Sequence, residues 1–577
     1  MAPPSPDIIR RVAAVTLLGF SVGCVVALAA VAFVDAVVWL NDYLLVSPRS
    51  RMLAAGEPWL PAVTVGVPAL GGLVVGLLCW WIPDRRPHGP ADAIQSAQSL
   101  EGAMPVRSGA LTAVAACAGL GSGASVGQYG PLVHMGATLG AWLSRVAGAS
   151  RYLATIGIGC GAAAAISTAF NAPVAGLVFA HEVILRHYSL RAFAPVTVSA
   201  TLGYVVANVV FERPPLFRIQ EVEVLHAWEY LGFIGIGIAG AVLATIYMRT
   251  ILYAGRVSRV MPLPGPAKPA FAGLILGLVA LQIPDVLGIG KEVLRFAIIE
   301  NAFTPGELAL TMTAKLLVTA LCLGFGFAGG VFSPALLIGI LFGALAGTGV
   351  ELLAGGVRSH IAIYAVCGMV AVTSPVIGAP LTTILIVFEL TRNYDLATAA
   401  MVSVAFANLI GYRLFGRSLF DMQLMARGFD LSLGRDKVMV EQRRIRDSLS
   451  HDYTAVPDTA DLAAVRDALL ADRRSEAYVL DASGVYLGTV NMNRLMTLSA
   501  SDPSLAGPAA PHAVPEPLTL SPDDSIWDAM SKLEDFIGES VPVLEDGRLL
   551  GVVPEATIVK AYLQTLEEIR REENAAA

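Results

Sequence analysis

The chain has 577 residues, 55% of them apolar and only 15% charged, against about 25% charged in soluble proteins. With a mean hydropathy of +0.65, these figures exclude a disordered chain, a secreted disulfide scaffold and most soluble enzymes, and they indicate a polytopic membrane protein. A formal charge of −7 gives no basis for nucleic-acid binding. Cys24, Cys79, Cys117, Cys160, Cys322 and Cys367 all lie in apolar stretches without metal-type spacing. They read as small buried hydrophobes, and no metal or cofactor is expected.

Residues 1–11 are short, polar and end in Arg10-Arg11. The apolar run from Val12 to about Leu40 exceeds the ~7–15 residues of a signal-peptide core and lacks an A-x-A-like site, so it predicts an uncleaved first span. Further apolar runs start near Ala62, Leu111, Ala154, Val196, Phe233, Ala270, Leu308, Leu336, Ile361, Leu381 and Ala399. Several fall short of a ~20-residue span and are cut by Gly and Pro clusters, the pattern of tilted, broken transporter helices. Arg10-Arg11 places the N-terminus in the cytoplasm, although Arg49 and Arg51 blur that signal.

Composition changes near Ala426. Residues 1–428 are expected to form the transmembrane domain, with repeats at about 60–250 and 268–428, followed by a charged linker at 429–449. Beyond it two α/β units are expected, at 450–500 and 512–568. In the first, a helix over Asp461–Leu470 precedes strands Glu476–Leu480 and Tyr486–Val490, then a helix from Met492. In the second, a helix over Ser525–Phe536 precedes strands Val541–Leu544 and Leu549–Val553, then a helix from Pro554. Ser501–Pro517 reads as a Pro/Ala linker.

The membrane part contains an internal echo. Gly121, Gly123, Gly127, Pro131, Gly136 and Gly140 match Gly324, Gly326, Gly330, Pro334, Gly339 and Gly343 at a constant step of 203 residues, and Tyr129 pairs with Phe332 at the same step. Ala172-Pro173 has Glu182 ten residues after its Ala, and Ala379-Pro380 has Glu389 ten after its own. Duplicated halves with glycine-broken helices are the signature of a transporter or channel with a midplane site.

Each copy runs Gly-x-[aromatic]-x-Pro into an apolar helix: Gly127-Gln128-Tyr129-Gly130-Pro131 and Gly330-Val331-Phe332-Ser333-Pro334. Pro is at home in a first helical turn, where no N–H is needed. A helix start carries roughly half a positive charge. Two converging starts make an anion site without Lys or Arg, and such a site releases its ion more readily than a full charge would. Helix packing through small residues is the simpler reading of any single copy.

These motifs resemble the CLC family of chloride channels and chloride/proton exchangers. Gly127–Gly136 is similar to its GxEGP motif and following helix, Phe170–Gly176 to its next helix start, Gly329–Pro334 to GxFxP, and Gly378–Leu381 through Phe388–Thr391 to another signature. Arg86–Asp92 sits where the family has GSGIPE, and the tail resembles a pair of CBS domains. The resemblance implies an all-α polytopic fold with inverted-topology repeats of broken, tilted helices, plus a small cytosolic α/β CBS pair. It also implies a homodimer in the lipid bilayer of the plasma (inner) membrane, with a chloride pathway in each subunit and the tail in the cytoplasm. By this resemblance His88, Gly89, Gly127, Gln128, Tyr129, Gly130, Val331, Phe332 and Phe420 line the anion pathway.

Departures from the family pattern bear on mechanism. The glutamate of GxEGP, which gates the pathway and carries the proton in exchangers, is Tyr129 here. Tyrosine titrates near 10, so it neither shuttles protons easily at neutral pH nor competes with chloride as a carboxylate does. It can still plug the pathway, and its O–H can donate to an anion. The inner proton glutamate falls on Val183, beside Glu182; a slip of one residue would exchange them. The family's coordinating serine and tyrosine fall on His88 and Phe420. His88 reads equally as an anion donor or as an interfacial histidine after Arg85-Arg86. These losses point to an uncoupled pathway for chloride or another monovalent anion, such as bicarbonate, nitrate or fluoride. Two rival readings are an exchanger using other proton groups and a non-conducting sensor with CBS output.

Lys315, in an apolar run, is expected to meet a carbonyl, an acid or the pathway. Glu182 and Glu389 hold equivalent repeat positions, which favours structural bonds to backbone N–H groups, and His134 and His181 read as packing residues. The CBS-like stretches Gly551–Thr557 and Gly488–Arg494 both lack a ribose-binding Asp, so dimer stabilisation is expected of the tail rather than adenine-nucleotide binding. An enzyme is not expected, because the chain has no HExxH, no GxSxG setting and no paired intramembrane aspartates.

Overall fold

The computed structural model describes residues 6–574 except 100–103, 149, 217–218, 220–221, 432–434, 502, 516–517, 534–535 and 537. The chain divides into two compact units, residues 1–429 and 430–577.

The first unit is helical. Among the described residues, eight helices are long and apolar enough to cross a bilayer. The first, Pro6–Tyr43, has 38 residues, well beyond the ~20 that a span needs. Its Leu17, Leu28 and Trp39 are exposed, as suits a lipid-facing surface. Helices begin slightly before the apolar runs do, because polar caps precede them. Thr304 Oγ1 accepts from the Glu307 N–H at 3.3 Å ahead of Pro305–Gly324. Asn393 Oδ1 accepts from the Leu396 N–H at 2.9 Å ahead of Tyr394–Phe415.

The two copies of the repeat pack by the same device. Tyr129–Val146 lies on Arg151–Phe170, where a methyl on Gly136 or Gly140 would collide with the Gly161 or Gly157 carbonyl oxygen. Phe332–Leu353 lies on Ile361–Ile377, where a methyl on Gly339 or Gly343 would strike the Gly368 or Tyr364 carbonyl oxygen. Small residues let helices approach closely where no hydrophobic force distinguishes helix from lipid. Each second helix then stops at a left-handed residue, Asn171 (φ 54°) or Gly378 (φ 70°), the cap that Asn and Gly tolerate. A short helix restarts at a proline after each stop, over Pro173–Phe179 and Pro380–Thr391.

The second unit holds two small sheets. Thr454–Pro457 pairs parallel with Glu476–Leu480, which pairs antiparallel with Tyr486–Asn491. Ser540–Glu545 pairs antiparallel with Arg548–Pro554. The helices are Leu462–Asp472, Met492–Ser501, Ile526–Lys532 and Glu555–Asn574. The third is shorter than the expected Ser525–Phe536. Ser525 is its cap, accepting from the Asp528 N–H at 3.0 Å, and Phe536 packs on the core from outside the helix. The stretch expected to be a linker, Ser501–Pro517, is partly core: Leu505 and Ala509 are buried in the first sheet's cluster, and Val514 bonds to Thr489.

Candidate functional site

The two Gly-x-aromatic-x-Pro turns touch. The Gly127 N–H donates to the Gly330 carbonyl at 2.7 Å, and the Gly330 N–H donates back to the Gly127 carbonyl at 2.7 Å. Glycine is required at this contact. A methyl on Gly127 would sit 2.7 Å from the Gly330 carbonyl oxygen, and one on Gly330 would sit 2.7 Å from the Gly130 nitrogen. Helices Tyr129–Val146 and Phe332–Leu353 start two residues past the bridge. Their first intrahelical N–H donors are Leu132, to the Gln128 carbonyl, and Ala335, to the Val331 carbonyl. The preceding amides, on Tyr129, Gly130, Phe332 and Ser333, have no acceptor within their own helices. Two helix starts with unclaimed donors therefore lie side by side, the arrangement that favours an anion. A third start is adjacent: Pro90 Cδ lies 3.6 Å from the position of a methyl on Gly130.

Tyr129 sits over this junction with 3% of its surface exposed. Its ring stacks on Phe170 at 4.0 Å and meets Phe332 edge-on at 5.4 Å, while Phe170 and Phe332 lie 5.2 Å apart. Gln128, the residue before Tyr129, is itself buried. From below, the buried Tyr247 hydroxyl donates to the Val331 carbonyl at 3.3 Å. The Ser333 hydroxyl is buried with no partner among the described residues and lies 3.0 Å from the position of a methyl on Gly127.

Gln128, Tyr129, Gly130, Val331, Phe332 and Gly127 thus form one cluster. His88 and Gly89 are engaged by carboxylates. His88 Nε2 lies 3.0 Å from Asp84 Oδ1, and its ring meets His134 edge-on at 5.4 Å. The Gly89 N–H donates to Asp92 at 2.8 Å, and Asp92 also pairs with Arg86 at 2.7 Å and Arg427 at 2.9 Å. Phe420 is buried in helix Leu419–Met425, which packs on the Pro90–Gln98 helix. Val183 is buried in the widened helical turn Ala180–Leu185. Lys315 is fully buried, and its ammonium donates to the Val286 carbonyl at 2.9 Å and the Gly288 carbonyl at 2.6 Å, which makes it a strut rather than a pathway group.

The repeat glutamates cross over. Glu182 accepts from the Leu381 N–H at 3.0 Å and the Thr382 N–H at 2.9 Å. Glu389 accepts from the Val174 N–H at 3.0 Å and the Ala175 N–H at 2.7 Å. Each caps the short proline-led helix of the other half, so those two helix starts already hold an anion of the protein itself. Among the described residues, no carboxylate caps the starts at Tyr129 and Phe332. Glu389→Gln is expected to lower stability by about 1.5–3 kcal/mol, the usual worth of a hydrogen bond to a charged group. A fall in Tm of the purified protein checks it, and Glu182→Gln should behave alike.

One contact was not visible in the sequence, and one free group was only partly so. Phe170 lies 41 positions from Tyr129, and its only signal was its place at a helix end before Asn-Ala-Pro. The free hydroxyl of Ser333 could have been suspected from a polar residue inside an apolar motif.

Duplicated halves, broken helices and adjoining amide-rich tips define a membrane protein built to pass anions. Residues 71–412 match the family described as voltage gated chloride channel, and residues 513–564 match the CBS domain. The chain belongs to the voltage gated chloride channel family and carries a C-terminal CBS domain. It is 30% identical to a ClcB-like protein of Ralstonia nicotianae over 66% of this chain and 90% of that one. It is 27% identical to the voltage-gated ClC-type chloride channel ClcB of Salmonella typhimurium over 71% of this chain and 98% of that one. Among solved structures, a slow cyanobacterial Cl−/H+ antiporter shares the fold, with a TM-score of 0.65 and 24% identity over 72% of this chain and 97% of that one. A eukaryotic CLC transporter covers 96% of this chain and 98% of its own length, with a TM-score of 0.62 and 20% identity.

Proposed function

We propose that the protein is a passive pathway for chloride or a similar monovalent anion, uncoupled from protons, with Tyr129 as its outer gate. The observation that carries this reading is the Tyr129 ring, wedged between Phe170 and Phe332 over the bridged turns. The place is filled by an uncharged group, which excludes water and anion sterically and neither competes as a carboxylate nor carries protons at neutral pH. The inner acid is lacking in the same sense. Glu182 is committed to the Leu381 and Thr382 amides, and its neighbour Val183 is apolar. The Ser333 hydroxyl supplies a donor that Phe420 cannot. Replacing it by alanine is expected to weaken anion affinity about fivefold, the worth of one ordinary hydrogen bond, read from the half-saturating chloride concentration for flux.

We assign the residue 1–428 domain to the bilayer of the plasma (inner) membrane as a homodimer. The tail, residues 450–500 and 512–568, lies in the cytoplasm, where it steadies the dimer. The test is chloride efflux from liposomes carrying the purified protein, with external pH recorded at the same time. Chloride should run down its gradient with no proton movement beyond leak; proton uptake driven uphill by chloride overturns the reading. One observation favours the exchanger alternative: His134 Nε2 is buried without a partner among the described residues beside the His88–Asp84 pair. The same experiment decides between the two.

A further inference from the structure

A cavity of about 130 Å³ opens against Tyr129 and Gln128, with Asn171 in its wall and Arg213, Lys291 and Arg295 around it. The three cations come from two stretches distant in sequence, 213 and 291–295, so the fold gathers them at the gate. Their commitments differ. Arg213 is paired with Asp35. Arg295 donates through Nε to the Leu216 carbonyl at 3.1 Å and is exposed. Lys291 is partly buried and makes no hydrogen bond or ion pair with any other described residue. Burial, then Arg295 and Arg213, press its pKa below the ordinary lysine value, against the weaker opposing pull of Glu292 and Asp35. An ammonium that has lost part of its water, faces like charges and has no ion-pair partner among the described residues is stabilised by an anion that enters.

We propose that this cavity is an anion-capture site on the outer face of the Tyr129 gate, with the Lys291 ammonium as its principal contact and a small inorganic anion as its ligand. The site rests on the anion-pathway reading but is separate from the paired amide tips, which lie beyond the ring. It holds the ion by one full charge in a space open to water. The tips hold it by partial charges alone. An anion waiting at Lys291 is positioned to follow the ring when it swings. Gln128 and Tyr129 line the cavity and also begin the amide-tip helix, so they form the wall between the two compartments.

The test is equilibrium binding of chloride to the purified full-length protein in detergent, read by line broadening of the chloride-35 resonance, together with chloride flux in liposomes. Lys291→Gln should weaken the accessible chloride binding about three- to tenfold, the range expected of one partly screened charge. Lys291→Arg should restore it, and neither change should alter Tm. Glu292→Gln should tighten binding slightly by removing the nearest exposed acid. Chloride broadening identical in wild type and Lys291→Gln overturns the capture site, whatever the flux shows. If binding falls in Lys291→Gln but the wild type shows uphill proton movement or no flux, the capture site stands and the passive reading fails.

Discussion

Tyr129→Ala is expected to raise anion flux about thirtyfold. On the proposed reading the ring keeps the junction closed through its two aromatic contacts, with Phe170 and Phe332, worth about 0.5–1.5 kcal/mol each. The middle of the summed range is about 2 kcal/mol favouring closure. By the usual conversion that is a factor of about thirty in rate. Tyr129→Phe keeps both ring contacts, so flux close to the wild-type value is expected from it. The measurement is initial chloride efflux from liposomes at matched protein content. Equal efflux for wild type and Tyr129→Ala sinks the gate. No efflux from either, in protein that remains folded, favours the sensor reading.

Gly330→Ala should be the most damaging single methyl in the site. Its Cβ would lie 2.7 Å from the Gly130 nitrogen and 2.9 Å from the Gly130 Cα. Both neighbours are backbone, so neither can rotate away. The turns must separate, and the paired 2.7 Å hydrogen bonds between Gly127 and Gly330 lengthen or break. Overpacking of this kind costs about 1–3 kcal/mol, with roughly another 1 kcal/mol for each backbone bond lost. The expected result is a marked fall in Tm together with loss of flux. Gly306→Ala is the control. It lies in the first turn of Pro305–Gly324 with open space around it, and it should leave both properties unchanged. A Gly330→Ala protein with wild-type Tm and flux would show that the turns are not held together by this contact.

How far the sequence foretold this site differs from residue to residue. The constant step between Gly127 and Gly330 indicated that the two turns are equivalent, and equivalence under a repeat brings equivalent elements face to face. The backbone bonds that join them follow from that symmetry. The cross-capping of Glu182 and Glu389 was equally open to inference, because each stands at a fixed distance from its Ala-Pro. The Tyr129–Phe170 stack was not. It links the start of one helix to the end of the next, and no periodicity reports on which aromatic fills a gap between elements. Lys291 was invisible for another reason: a cation between apolar runs ordinarily marks a loop at the water interface, and only the fold brings it to the cavity that Tyr129 and Gln128 line. In the tail, the strand Glu476–Leu480 has the bounds expected beside the Asp481–Gly484 turn. The core roles of Leu505 and Ala509 escaped because a Pro/Ala-rich stretch has no period to read.

The exchange of carboxylates between the halves has a consequence for how the chain is made. The amides of Val174 and Ala175 wait for Glu389, which lies 215 and 214 positions further on. Until that residue leaves the ribosome, the first half enters the lipid with polar groups exposed to a solvent that cannot bond them. Neither half is complete alone, so the insertion machinery must shelter an unfinished intermediate while 214 further residues are added. Separately expressed halves should rescue each other only when they are synthesised together.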